Sequence, residues 1–237
     1  MPGQTLFLVP CFHSKFTIMR IPTITLLFIA SSFALAAQET PWKLKKSSDG
    51  IEVYYRSVPE SAINELRIKT SIRASMPALL SVMRDFSRYP QWIYKCTEAS
   101  RIEKVNEREF IYYGVMDFPW PLADRDFVAR SKMTRNPETG AVHIEVKGAP
   151  GYKPPVKDRV RIPVMHYHWT LTPGNGVLLV DYQLKSDPGG SLPAWVINLG
   201  LDQGPVQTIR NLRQLAMKTS ENSANLAFIE DSEAHNP

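Results

Sequence analysis

The chain has 237 residues, 43% apolar and 22% charged, close to a globular average, which excludes a long disordered polymer and a polytopic membrane protein. Its formal net charge is +5, with Lys and Arg scattered and the densest run only Lys43, Lys45 and Lys46. A nucleic-acid binder would gather such charges on one face or arm, so that class is excluded, whereas a transient contact with anionic membrane surfaces is compatible.

Residues 1–37 read as a signal peptide. Arg20 precedes an apolar stretch from Ile21 to Ala37 that ends in Ala34-Leu35-Ala36, the order of basic region, apolar core and small-residue cleavage site. The competing reading is a membrane anchor, but Pro22, Thr23, Thr25, Ser31 and Ser32 interrupt the core, and its length of about 17 residues is at the lower limit for spanning. Cleavage near Ala36 is expected, giving a periplasmic or secreted protein; Met19 is an alternative start. The mature chain would carry +3 and retain Cys96 as its one thiol, so no internal disulfide can staple it. The folded domain is expected over 41–218, long enough for one sizeable core. The tail, 219–237, is rich in Ser, Glu, Asn and Asp and is expected to be disordered.

Within the domain most segments have strand character. Asp49-Gly50 is a turn signal before Ile51–Tyr55, and Leu66–Ile72 alternates apolar with polar. Pro77–Phe86 reads as a short helix with Ser75 as N-cap. Strands are then expected over Ala99–Val105, Glu109–Phe118, Phe127–Thr134, Val142–Val146, Val160–Thr172 and Val177–Leu184, with hairpin turns at Asn136–Gly140 and Pro173–Gly176. Short turns with no helices between them imply an antiparallel sheet. A helical stretch from Leu192 to about Lys218, roughly 37 Å long, closes the domain. Its apolar stripe is Trp195, Val196, Leu199, Val206, Ile209, Leu212 and Leu215, and Gly200, Gly204 and Pro205 predict a kink. The fold class is thus α+β, a curved antiparallel sheet around a long C-terminal helix.

Two segments carry a family resemblance. Asp117-Phe-Pro-Trp-Pro-Leu-Ala-Asp-Arg-Asp-Phe-Val128 joins two strands, and Ser186-Asp-Pro-Gly-Gly-Ser-Leu-Pro-Ala-Trp-Val-Ile-Asn198 joins the last strand to the helix. In this order and spacing the chain resembles the StAR-related lipid-transfer (START) family, over about Trp42 to Met217, and is similar to its shorter bacterial branch. The resemblance implies the helix-grip fold with a hydrophobic cavity between sheet and helix. It also implies a lipid or other hydrophobic small molecule as partner, held without a cofactor; a monomer is expected.

Candidate ligand contacts follow from strand and helix faces. They are Leu66 and Ile68 on one strand, Leu178, Val180 and Tyr182 on another, and Trp195 and Leu199 at the helix start. Gly200 and Gly204 are expected to leave the gaps that open the cavity. Phe127 and Ala129 share an inward face that Arg125 joins; this Arg either meets a ligand head group or pairs with an acid and pins its loop to the sheet. Trp92 and Trp120, on Pro-flanked loops, are gates or surface anchors. His168 adds a polar group. His166 and His168 alternate on a strand, so both could reach one metal, with His143 the third ligand nearest in sequence, but they are read as partly buried polar residues and no metal is expected. Phosphate-binding loops, a nucleophile elbow and a Cys-x-x-Cys pair are missing from the sequence, so no catalytic residue is assigned. The alternatives to a binding protein are a helix-grip enzyme of cyclase or hydrolase type, with Tyr182, His168 and Arg125 suspect, and an envelope interaction module without ligand.

Overall fold

The computed structural model describes residues 40–219 together with Gly3, so the leader and the polar tail lie outside the described residues. Its strands are β1 Lys43–Ser48, β2 Ile51–Val58, β3 Ser61–Ile72, β4 Cys96–Asn106, β5 Glu109–Met116, β6 Arg125–Arg135, β7 Val142–Gly148, β8 Val160–Arg161, β9 Val164–Pro173 and β10 Leu178–Asp187. The helices are α1 Met76–Arg84, α2 Tyr89–Trp92, α3 Ala194–Gly200 and α4 Gln203–Lys218. One sheet runs in the order β1-β2-β3-β10-β9-β7-β6-β5-β4, with β8 added to β6.

The chain builds this order from two meanders. The first, β1-β2-β3, turns at Asp49-Gly50, where both residues have positive φ (54° and 65°), the backbone that a two-residue hairpin demands. After β3 the chain leaves the sheet through α1 and α2 and re-enters at the opposite edge with β4. The second meander runs β4-β5-β6-β7. Antiparallel pairing of β10 with β3, from Leu178 opposite Ile72 to Leu184 opposite Leu66, joins the two. All neighbours are antiparallel except β8, which lies parallel to β6. The helix-grip expectation therefore stands: an antiparallel sheet with helices on one face.

Three sequence expectations shift and a fourth holds. β1 lies where only a basic run stood out; all its residues are exposed, and lysines along an edge strand discourage pairing with another chain. The strand expected over Val160–Thr172 is two strands, because Pro163 supplies no ladder N–H and the chain changes partners there. The expected first helix stops at Arg84, and Phe86 begins a separate 3-10 turn, Phe86–Arg88. The terminal helix breaks at Leu201-Asp202 into α3 and α4, as the kink expectation required.

The two halves of that helix do different work. From α4, Val206, Ile209, Leu212 and Ala216 are buried in one cluster with Leu79, Leu80, Val82 and Met83 of α1 and the sheet residues Ile51, Val53 and Ile72. Ser75 caps α1, its side chain accepting from the Ala78 N–H at 3.3 Å, as its sequence position predicts. In contrast, no residue of α3 is fully buried. At the break, Asp202 is buried and receives Lys45 at 2.7 Å and Lys46. Burial alone would raise its pKa, but the two lysines overcome this and hold the carboxyl below its ordinary value.

A buried ion pair fixes β8. Asp126 of β6 is fully buried and accepts two 2.9 Å bonds from Arg161, whose guanidinium also donates to the carbonyls of Pro150, Lys153 and Pro154. One side chain therefore anchors the segment covering the outer face of β5 and β6. Breaking one partner of a buried pair strands the other, so Asp126→Ala is expected to lower unfolding free energy by about 3–5 kcal/mol, read from urea denaturation.

Candidate ligand cavity

Between sheet and α3 lies a cavity of about 660 Å³. Its floor is built by alternation. On β6, Phe127, Ser131 and Met133 face it; β7 supplies Ile144 and Val146, β9 Met165, Tyr167 and Trp169, and β10 Tyr182 and Leu184. Phe110 and Tyr112 of β5 complete the floor. The roof is Val196, Ile197, Gly200 and Leu201, continued by Gln203, Gly204, Pro205 and Thr208 at the start of α4. Met83, Arg84, Phe86, Tyr89 and Trp92 form one end. The rim combines Tyr94 and Lys95 after α2 with Asp117, Phe118, Pro119 and Leu122 of the β5–β6 loop. Lys95 and Asp117 pair across it at 2.5 Å.

The lining is mostly hydrocarbon and aromatic. Trp169 stacks on Tyr182 with ring centroids 3.7 Å apart, and Trp92 meets Trp169 edge-on at 6.4 Å. The buried tyrosines keep their protons: burial pushes the phenols of Tyr89, Tyr112, Tyr167 and Tyr182 upward. Two are satisfied locally, Tyr89 donating to the Met83 carbonyl at 3.1 Å and Tyr167 to Ser186 Oγ at 3.3 Å. The indole Nε1 of Trp92 is buried and has no hydrogen-bond partner among the described residues. Arg84 and Arg108 add cations to the lining; burial lowers the pKa of Arg84, which donates to the Glu107 carbonyl at 3.0 Å.

Arg125 holds the two resemblance-bearing segments together. It is 2% exposed, lies 4.1 Å above the Phe118 ring, and donates to the carbonyls of Ala123 (2.6 Å), Pro188 (3.3 Å) and Gly189 (3.2 Å). Gly189 and Gly190, both at positive φ, turn the β10–α3 connection toward it, and a Cβ on Gly190 would meet Arg125 Nη2 at 3.1 Å. Of the two expectations for this residue, the pinning one describes its contacts, with backbone carbonyls in place of an acid.

Of the predicted ligand contacts, Trp92, Phe127 and Tyr182 line the cavity. The others do not. Leu66, Ile68, Ala129, Leu178 and Val180 point inward as predicted but are buried in the solid core. Trp195 and Leu199 are 70% and 75% exposed, because α3 turns Val196, Ile197 and Gly200 inward instead. Trp120 is 91% exposed, an outer-surface residue beside the rim, while Trp92 belongs to α2 and not to a loop. His168 is exposed on the opposite face of the sheet, since Tyr167 and Trp169 take the inward positions. Gly200 does face open space, but a Cβ on Gly204 would meet Tyr94 at 3.3 Å, so its smallness serves close packing. Most of the lining was missed, including Trp169 and Tyr167 of β9 and Phe110 and Tyr112 of β5; β5 is buried on both faces, with Ile111, Tyr113 and Val115 in a second cluster outside, so its pattern shows no contrast.

An antiparallel sheet roofed by a terminal helix over an apolar cavity defines the class of helix-grip proteins with an internal binding site. The START domain family model matches residues 31–221, and the chain belongs to that family. It is 34% identical to an uncharacterized protein of Pseudomonas aeruginosa over 75% of this chain and 87% of that one. It is 25% identical to the phosphatidylcholine transfer protein of Mus musculus, over 72% and 81% respectively. Among solved structures, a STAR-related lipid transfer protein fragment of Xanthomonas axonopodis superposes with a TM-score of 0.70 at 31% identity, over 75% of this chain and 99% of that one.

Arg125→Met is expected to lower stability by about 3 kcal/mol, since three carbonyls lose a charged donor at once. Denaturant unfolding of the variant measures this.

Proposed function

We propose that this protein binds one hydrophobic, lipid-like molecule, a sterol, phospholipid or fatty-acid-like compound, in the cavity and carries it between sites. The observation that carries the reading is the cavity of about 660 Å³ walled by aromatic and aliphatic side chains. That volume falls within the range that holds small ligands, and each Å² of apolar ligand surface removed from water contributes about 25 cal/mol before ordering costs. The names of the relatives support transfer in addition to binding. The unpartnered Trp92 N–H supports a ligand with an oxygen acceptor beside α2. The proposed setting is the periplasm or the cell exterior, on the strength of the leader composition alone.

The test is organic extraction of the purified protein followed by mass spectrometry, with binding assays using sterol, fatty-acid and phospholipid probes. One bound lipid per chain is expected. Ser131→Phe, which fills the floor, is expected to cut probe affinity at least tenfold while the protein stays folded. Empty protein that ignores every probe would overturn the proposal.

Exchange with a bilayer would use the exposed apolar side chains of the β5–β6 loop and of the outer side of α3, Trp120, Trp195 and Leu199, which lie in solvent at 91%, 70% and 75% exposure. Burying one such side chain contributes about 1.5–3 kcal/mol, so Trp120→Ser and Trp195→Ser are each expected to weaken vesicle partitioning about tenfold or more without loss of probe binding. Sedimentation with liposomes reads this out, and equal partitioning of both variants and the parent would remove the membrane step.

A further inference from the structure

The face of the sheet opposite the cavity carries a cluster of different chemistry. On β7 and β9, Ile144, Val146, Met165, Tyr167 and Trp169 face the cavity, so the intervening Glu145, His166 and His168 face outward. The register sets Glu145 directly opposite His168, and Lys147 opposite His166. Three donor atoms converge as a result. His166 Nε2 lies 2.8 Å from His168 Nε2 and 3.1 Å from Glu145 Oε1, and His168 Nε2 lies 3.7 Å from that oxygen.

We propose that Glu145, His166 and His168 form a solvent-facing site for a divalent cation of the zinc type. Tetrahedral zinc with bonds of about 2.0–2.1 Å sets neighbouring ligand atoms about 3.3 Å apart. The three separations here straddle that value. A point about 2.05 Å from all three atoms exists roughly 0.8 Å above their plane, leaving a fourth position for water or an external oxygen. Two imidazoles and one carboxylate suit zinc better than magnesium or calcium, which take oxygen ligands.

The site is held by the ladder and not by flexible side chains alone. Adjacent hydrogen-bonded strands fix the three Cα positions, and only the side-chain torsions need to settle. Without a cation, one of the two facing Nε2 atoms must carry a proton for the other to accept; a metal takes both lone pairs. Lys147 now neutralises Glu145 at 2.7 Å and would compete with the cation. Lys185, opposite His166 on β10, points instead toward Glu65 at 3.9 Å. His143, the third ligand nearest in sequence, pairs with Thr170 at 3.2 Å and stands outside the cluster.

The experiment is zinc titration of the metal-stripped full chain by calorimetry, with cobalt substitution as an optical readout. One zinc per chain is expected, with a cobalt d–d spectrum of four-coordinate nitrogen and oxygen ligation. His166→Ala and His168→Ala are each expected to weaken binding at least about 100-fold, His143→Ala to leave it unchanged, and Lys147→Gln to tighten it. No saturable binding by the parent chain up to millimolar zinc would overturn the proposal, as would equal weakening by His143→Ala and His168→Ala, the sign of diffuse adsorption on surface imidazoles. The cobalt spectrum of the parent decides ligation independently of any variant, and a six-coordinate, all-oxygen spectrum would also overturn it.

Discussion

A charged guanidinium at 2% exposure is costly unless its donors are satisfied, and Arg125 meets that condition with backbone carbonyls from two distant loops. The β5–β6 loop and the β10–α3 connection have no shared secondary structure, yet both border the cavity, through Phe118, Pro119 and Leu122 on one side and Pro188 and Leu192 on the other. Arg125 and the Gly189-Gly190 turn that gives it room join them directly, and β8 adds a second link, with Val160 N–H donating to the Asp124 carbonyl and Gly189 packed against Val160 and Pro163. Because carbonyl acceptors are fixed in the backbone, the arrangement constrains loop conformation directly.

The cavity exists because the terminal helix is divided. α4 and α1 together fill one end of the concave face, and the resulting core holds the sheet against them. α3 covers the other end without sending any side chain deep enough to be fully buried. Apolar walls that line a cavity make fewer dispersion contacts than a solid core does, a cost that the ladder and the packed core must offset. A hydrophobic guest restores those contacts, which couples ligand binding to the stability of this end of the domain.

The two faces of the sheet have separate roles. Toward β5 and β6 the outer face is itself covered, with the Asp126–Arg161 pair tying down the covering segment. Toward β7 and β9 it is open, and the same alternation that turns Tyr167 and Trp169 to the cavity presents His166 and His168 to solvent.

Much of this architecture was legible in the residues. Period-two alternation along β3, β7, β10 and the Arg130–Arg135 half of β6 identified the inward faces, because there one side of the strand is wet and the contrast survives in sequence. The Ser75 cap, the Asp49-Gly50 turn and the kink before Pro205 were equally local signals, and the paired loop motifs named the family. What tertiary structure alone decided was which inward residues border a void and which are packed solid. Leu66, Leu178 and Val180 share strand faces with cavity residues such as Tyr182, and only the placement of α1 and α4 separates them. The rotation of α3 likewise followed from the break at Asp202, held by lysines more than 150 residues earlier. Periodicity records which way a side chain points; the volume it meets there is set by elements distant in the chain.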